Sequence, residues 1–127
     1  MKATQLRLGN IVGLKGDPLK IDHVLMLEPG LIHLESGSDY EQEEHIREIP
    51  IRAHVLDHYG IPANNWFYLG GIRMYIGLLP GIRDVQLHID KHLFKVRYMH
   101  ELQNLVHDHS GQDLIVLPHI HHPYGQV

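Results

Sequence analysis

The chain has 127 residues, 43% of them hydrophobic and 20% charged, with a formal net charge of −4 and no cysteine. That length suits one domain or two small lobes sharing a core, and the composition is that of a folded globular chain. Lack of cysteine removes disulfides, thiolate metal sites and thiol nucleophiles, and the acidic balance makes duplex nucleic acid an unexpected partner.

The opening MKATQLRLGN lacks the apolar run of a secretory signal, and no stretch approaches the ~20 apolar residues of a spanning helix. A cytoplasmic protein without membrane contact is expected. Residues 10–50 read as short strands divided by turns: NIVGL, the turn KGDP, LKIDHVLM, the turn EPG, LIHLE, the loop SGSDYEQEE and HIREIP. Gly, Pro and Asp between apolar runs of strand length predict a β-meander or small SH3-like barrel over 1–50, with no helix. Glu35, Asp39, Glu41, Glu43, Glu44 and Glu48 crowd this lobe against Arg47 alone, which reads as a solvated acidic surface.

An α+β lobe is expected over 51–127, forming one cooperative unit with the first. Its order is a helix, antiparallel strands, a helix and a last strand. Pro50 opens IRAHVLDHYG, where Ile51, Val55, Leu56 and Tyr59 share one side at helical spacing and Gly60 supplies the stop. From Trp66 the period becomes two, with strands in WFYLG, IRMYIGL, RDVQLHID and HLFKVRY. Ile72, Met74, Ile76, Val85, Leu87, Ile89, Phe94 and Val96 then point to one face, and Arg73, Tyr75, Gln86, His88, Lys95 and Arg97 to the other. In RYMHELQNLVHDHSG, the residues Met99, Leu102, Leu105 and Val106 form an apolar stripe with His109 near its middle. His100, Gln103, Asn104 and His107 gather on the opposite side, and Gly111 ends the helix. DLIVLP reads as the last strand before the histidine-rich tail HIHHPYGQV.

Arg7, Leu8, Gly9 and Asn10, together with YMHELQNL and with Ser110, Gly111, Asp113 and Leu114, carry a resemblance. The chain is similar to a set of small uncharacterised proteins common in phages and mobile elements of Bacteroidetes. Those open on R-[IL]-G-N and close on Y-V-H-x-L-Q-N-L followed by [ST]-G-x-[ED]-L. Val106, His107, Asp108 and His109 depart from the aromatic and small residues usual at that place, and Met99 replaces a valine. The resemblance implies a mobile genetic setting and binding to a host component rather than catalysis.

Thirteen histidines raise the question of metal. His54 and His58 stand four apart on the first helix, but Val55 occupies the place of a zinc protease's glutamate. His88, Asp90 and His92 alternate over about 13 Å and converge only if the chain bends there. A small metal-dependent hydrolase using His54, His58, His88 and Asp90 is therefore an alternative. Ser36, Ser38 and Ser110 lie in no nucleophile elbow, and neither a P-loop nor G-x-G-x-x-G occurs, so no catalytic residue and no cofactor is assigned.

The leading constellation is the polar strand face. Arg73, Lys95 and Arg97 offer forks for phosphate or carboxylate, Gln86 and His88 offer hydrogen bonds, and Tyr75, Trp66 and Tyr68 offer planes for stacking. His100, Gln103, Asn104 and His107 are expected as a docking surface for a neighbouring lobe or subunit, since a solvent face favours Lys and Glu. Together these features predict a small non-enzymatic binding protein, homo-oligomeric, that sequesters or blocks a host protein or an anionic nucleotide-type molecule. An SH3-like nucleic-acid or protein adaptor is the other alternative.

Overall fold

Two antiparallel sheets and two α-helices organise the described residues, 1–37 and 40–115, of this computed structural model. The class is α+β, as the switch between helical and strand periods predicts. The chain divides into two compact units, Met1–Arg47 with Ile115, and Glu48–Leu114.

In the first unit the R-L-G-N stretch is a turn. Gly9 takes φ 85°, and the buried Asn10 side chain accepts the Arg7 N–H at 2.8 Å. The Asn10 N–H also donates to Arg7 O at 3.1 Å, so backbone and side chain close the turn together and the motif sets the entry into the sheet. β1 (Ile11–Leu14), β2 (Asp17–Glu28), β3 (Leu31–Leu34), β4 (Tyr40–Gln42) and β5 (Ile46–Glu48) follow, in the order β4-β3-β2-β1-β5. Of the two forms expected here, a meander or a small barrel, the sheet is an open antiparallel one and does not close.

β2 is longer than the expected LKIDHVLM because it serves two partners, pairing with β1 near its start and with β3 near its end. Register shifts between Val12 and Leu14 and between Val24 and Met26 bend the ladder where the partner changes. Val12, Val24, Ile32, Leu34 and Ile46 pack into one cluster with Ala3 and Leu6. The acidic run is only partly solvated surface. Tyr40–Gln42 pairs with β3, Glu43–His45 is a 3-10 turn, and Glu43 Oε2 accepts the Ala3 N–H at 2.8 Å. Arg47 turns inward along the hairpin, donating to the Leu14 and Asp17 carbonyls at 3.2 and 3.3 Å.

The second unit begins with a strap. Ile51 N–H donates to Arg97 O at 2.9 Å and Met99 N–H to Ile49 O at 2.8 Å, so the residues around Pro50 run beside those around Tyr98. α1 (Ala53–His58) buries Val55 and Leu56, and Gly60 at φ 68° reverses the chain after it. β6 (Trp66–Leu69), β7 (Ile72–Gly77), β8 (Val85–Ile89) and β9 (His92–Val96) form a meander in the order β6-β7-β8-β9. Leu69 pairs with Ile72 across Gly70 and Gly71, both at positive φ, the conformation that a two-residue hairpin turn with the sheet's twist requires. Asp90 supplies the same left-handed step between β8 and β9 at φ 54°.

Strand alternation sorts the side chains largely as the sequence predicts: Met74, Ile76, Val85, Leu87, Ile89 and Val96 are buried, Ile72 and Phe94 of the same face are half-buried, and the intervening positions other than Gly77 are not buried. α2 (Met99–Ser110) adds Met99, Leu102 and Val106 to the buried set. Each such side chain contributes roughly 1.5–3 kcal/mol. Glu101 holds the start of α2, accepting the Tyr98 and Arg97 N–H groups at 3.0 and 3.1 Å. Gly111 at φ 71° ends it, its N–H on His107 O at 2.8 Å. Of the last strand expected at 113–118, residues 113–115 are not strand; 116–118 and the tail 119–127 lie outside the described residues.

The β6–β7 turn meets the end of α2 closely. A Cβ on Gly70 would stand 2.8 Å from Ser110 O and 2.9 Å from Gln112 Cγ, whereas one on Gly71 meets nothing within 4 Å. Gly71→Ala carries only the left-handed backbone strain of ~1–2 kcal/mol. Gly70→Ala adds a backbone clash and is expected to exceed it by at least about 1 kcal/mol in urea unfolding. Equal losses for the two variants would contradict the close approach.

Candidate ligand-binding face

Residues opposite one another in an antiparallel pair share a face, so the register of β6–β9 builds the surface row by row. Trp66 stands opposite Tyr75, Tyr75 opposite His88, and His88 opposite Leu93, one row across all four strands. The next row sets Tyr68 opposite Arg73; on the other side, Gly77, Gln86 and Lys95 align. Apart from Gly77, the sheet's buried residues occupy the alternate positions.

The first row is a packed aromatic cluster. Trp66 and Tyr75 centroids lie 5.1 Å apart, Tyr75 and His88 meet edge to face at 5.7 Å, and Trp66 and His88 are 5.9 Å apart. The Arg73 guanidinium carbon sits 3.8 Å from the Trp66 ring centroid, a cation–π contact of ~0.5–1 kcal/mol at an exposed site. Trp66 is 44% exposed and Tyr68 71%, large for apolar rings.

Gly77 was not among the expected site residues, although a glycine inside a strand pattern signals close approach. A Cβ there would lie 3.3 Å from Tyr75 Cε1. The bare backbone lets the Tyr75 ring lie over it.

Of the three cations expected on this face, Arg73 and Lys95 are exposed and engaged by no ion pair among the described residues. Arg97 lies just beyond β9 and is committed to Asp84, with Nε and Nη2 at 3.1 and 3.0 Å from Oδ1. The hydrogen bond to Asp84, and then its charge, hold that guanidinium above its ordinary pKa. A ligand fork at Arg97 would have to displace this carboxylate.

The residues of the metal alternative are dispersed. His88 lies in the aromatic row, but His92 opposes Ile89 and so projects from the other face, where its ring is 6.4 Å from Phe94. The chain does bend at Asp90, whose N–H donates to Arg73 O at 2.8 Å, yet the hairpin register separates the two imidazoles. His54 and Asp57 line a shallow cavity of about 520 Å³ with Ala53, Ile61, Pro62 and Ala63, while His58 meets the Tyr59 ring at 4.8 Å. Among the described residues no three His, Asp or Glu side chains group as a metal site.

The expected docking side of α2 divides. His100 and Gln103 are buried at 6% and 8% exposure, Asn104 is half-buried, and His107 is exposed with Nδ1 3.1 Å from Asp113 Oδ1. At 100° per residue Gln103 falls about 40° from Met99. The buried arc is therefore centred on Met99, and Leu105 and His109 lie outside it, His109 exposed with its ring 5.0 Å from Phe94. His100 stacks nearly parallel on Tyr98, centroids 6.1 Å apart, and its buried Nδ1 has no hydrogen-bond partner.

Burial pushes the His100 imidazole below its ordinary pKa, with Glu101 and Glu48 opposing the shift. The unfolded chain thus takes up the proton first. Stability attributable to His100 is complete above ~6.5, declines as the pH falls from there to the folded pKa, and changes no further below it. His100→Gln is expected to flatten the fall in Tm between pH 7.5 and pH 5; parallel curves for the two proteins would contradict the assignment. Comparison with known protein families, with curated proteins and with solved structures finds no match.

Proposed function

We propose that this chain is a non-enzymatic binding protein whose β6–β9 face holds an anionic, planar, nucleotide-type ligand. The observation that carries this is the exposed Trp66 ring, braced by Tyr75 and His88 and overlaid by the Arg73 guanidinium at 3.8 Å. The guanidinium laid on Trp66 and the exposed Tyr68 ring in the neighbouring row offer planes for a stacked base and donors for phosphate on one side of the sheet. Lys95 adds a second cation one row from His88, and Gln86 a donor and acceptor beside it. Nothing in this constellation supplies an activated nucleophile or a base with its orienting partner, and binding is what these groups do.

The further reading, that this binding sequesters or blocks a host component, draws its support from the resemblance of the two terminal motifs to phage and mobile-element proteins. Both motifs serve the fold here, Gly9 and Asn10 in a turn and Gly111 in a helix stop. The ligand is therefore sought on the sheet and not in the motifs. The first unit favours a second function, an SH3-like adaptor, because β5 returns beside β1 after a 3-10 turn.

Trp66 is the sole tryptophan, so its emission reports on the face directly. Titration with a nucleoside monophosphate at millimolar concentration is expected to quench it saturably, with several-fold weaker binding in Arg73→Gln. Unchanged emission, or equal affinity in the variant, would contradict the ligand face.

A further inference from the structure

We infer that the ligand of this face is a single-stranded nucleic acid, read along its length by successive base stacking, rather than a free mononucleotide; this rests on the ligand face proposed above. The face is open. Trp66 and Tyr68 stand on the edge strand at 44% and 71% exposure, and the cavity of about 520 Å³ lies at α1, sharing no residue with this face. Small ligands owe their affinity to enclosure, most of their surface being buried. A mononucleotide lying on a flat sheet buries one ring face and has little to set against its lost freedom. A strand that crosses several rings gains a contact at each.

The spacing fits such a strand. Trp66 and Tyr68 are alternate residues of β6, so their rings start roughly 7 Å apart on the same face. That is about twice the ~3.4 Å rise between stacked bases in one strand of a duplex. Neighbouring bases are drawn apart onto separate rings, as single strands allow and duplexes do not. A duplex keeps its base faces inside the stack, where Trp66 and Tyr68 cannot reach them.

Charge selects the backbone. Arg73 stands opposite Tyr68 and lies over Trp66, and Lys95 stands two rows away on the same face, so the cations accompany the rings. Of the acidic groups in this meander, Asp84 is held by Arg97, while Asp90 is exposed in the β8–β9 turn. Two phosphate contacts give a salt slope of about −1.4 for a single strand, enough for recognition although the chain as a whole is acidic. Stacking on rings reads every base alike, so little sequence preference follows.

The test is fluorescence anisotropy of labelled oligonucleotides of two, four and eight nucleotides, DNA and RNA in separate arms, beside the mononucleotide titration of Trp66. The inference expects affinity to tighten at least about tenfold from dimer to octamer in one arm or both, with Tyr68→Ala about tenfold weaker, as loss of one base stack implies. Tyr68 is 71% exposed, so the variant's far-UV circular dichroism is expected to match the wild type. A duplex of the same sequence is expected to bind more weakly than the single strand. Mononucleotide quenching without any tightening with length would overturn the polymer inference and leave the ligand face standing. Failure of mononucleotide and oligomers alike would remove both. Polyglutamate competing as well as the octamer would show that charge alone is read, and would also overturn the inference.

Discussion

The pairing register of β6–β9 is the constraint on which the rest of the second unit depends. A shift by one residue would exchange Met74, Ile76, Leu87 and Ile89 for Arg73, Tyr75, Gln86 and His88 on the buried side. Two short turns hold the register, Gly70-Gly71 at one end and Asp90 at the start of the β8–β9 reversal, each supplying the positive φ that a tight right-twisting hairpin needs. The same alternation that drives apolar side chains inside assembles Trp66, Tyr75 and His88 into one row. Core and candidate site are two faces of a single choice.

α2 belongs to the interior more than its composition suggests. Met99, Leu102 and Val106 are buried, but so are His100 and Gln103. A buried imidazole with an unpartnered nitrogen is an expense in stability, partly offset by its stack on Tyr98 and tolerated because it remains neutral near pH 7. The R-L-G-N stretch near the start and the Y-M-H-E-L-Q-N-L and S-G stretches near the end act in the same structural way. Asn10 closes a turn, Glu101 holds the helix start and Gly111 closes its end.

Much of the second unit was legible in the sequence because its signals are local. Strand alternation from Trp66 to Val96, the stop at Gly60 and the stop at Gly111 all depend on residues within one or two turns of chain. β4 was not legible: Tyr40–Gln42 lies in an acidic segment without alternation, and only its pairing with β3 makes it a strand. The burial of Gln103 was missed because Leu105 and His109 drew the apolar stripe away from Met99, around which the helix actually packs. At the site, the ring row followed from alternation, whereas the commitment of Arg97 to Asp84, 13 positions away, is a tertiary contact that no period encodes. The separation of His88 from His92 required the hairpin register. Gly77 beneath Tyr75 had a signal, a glycine inside a strand, that was not used.

What distinguishes the β6–β9 face from an ordinary solvated one is that its rings hold each other in place before any ligand arrives. Trp66, Tyr75, His88 and the Arg73 guanidinium form a preformed surface, so little side-chain ordering remains to oppose binding. The most direct measurement is NMR mapping of backbone amide and aromatic side-chain shifts during titration with a short single-stranded oligonucleotide. The account predicts ring and side-chain shifts concentrated at Trp66, Tyr68, Arg73, Tyr75 and His88, with the alternate positions Met74, Ile76 and Leu87 nearly still. Shifts confined to α2 or to the five-stranded sheet, or none at saturating ligand, would contradict it.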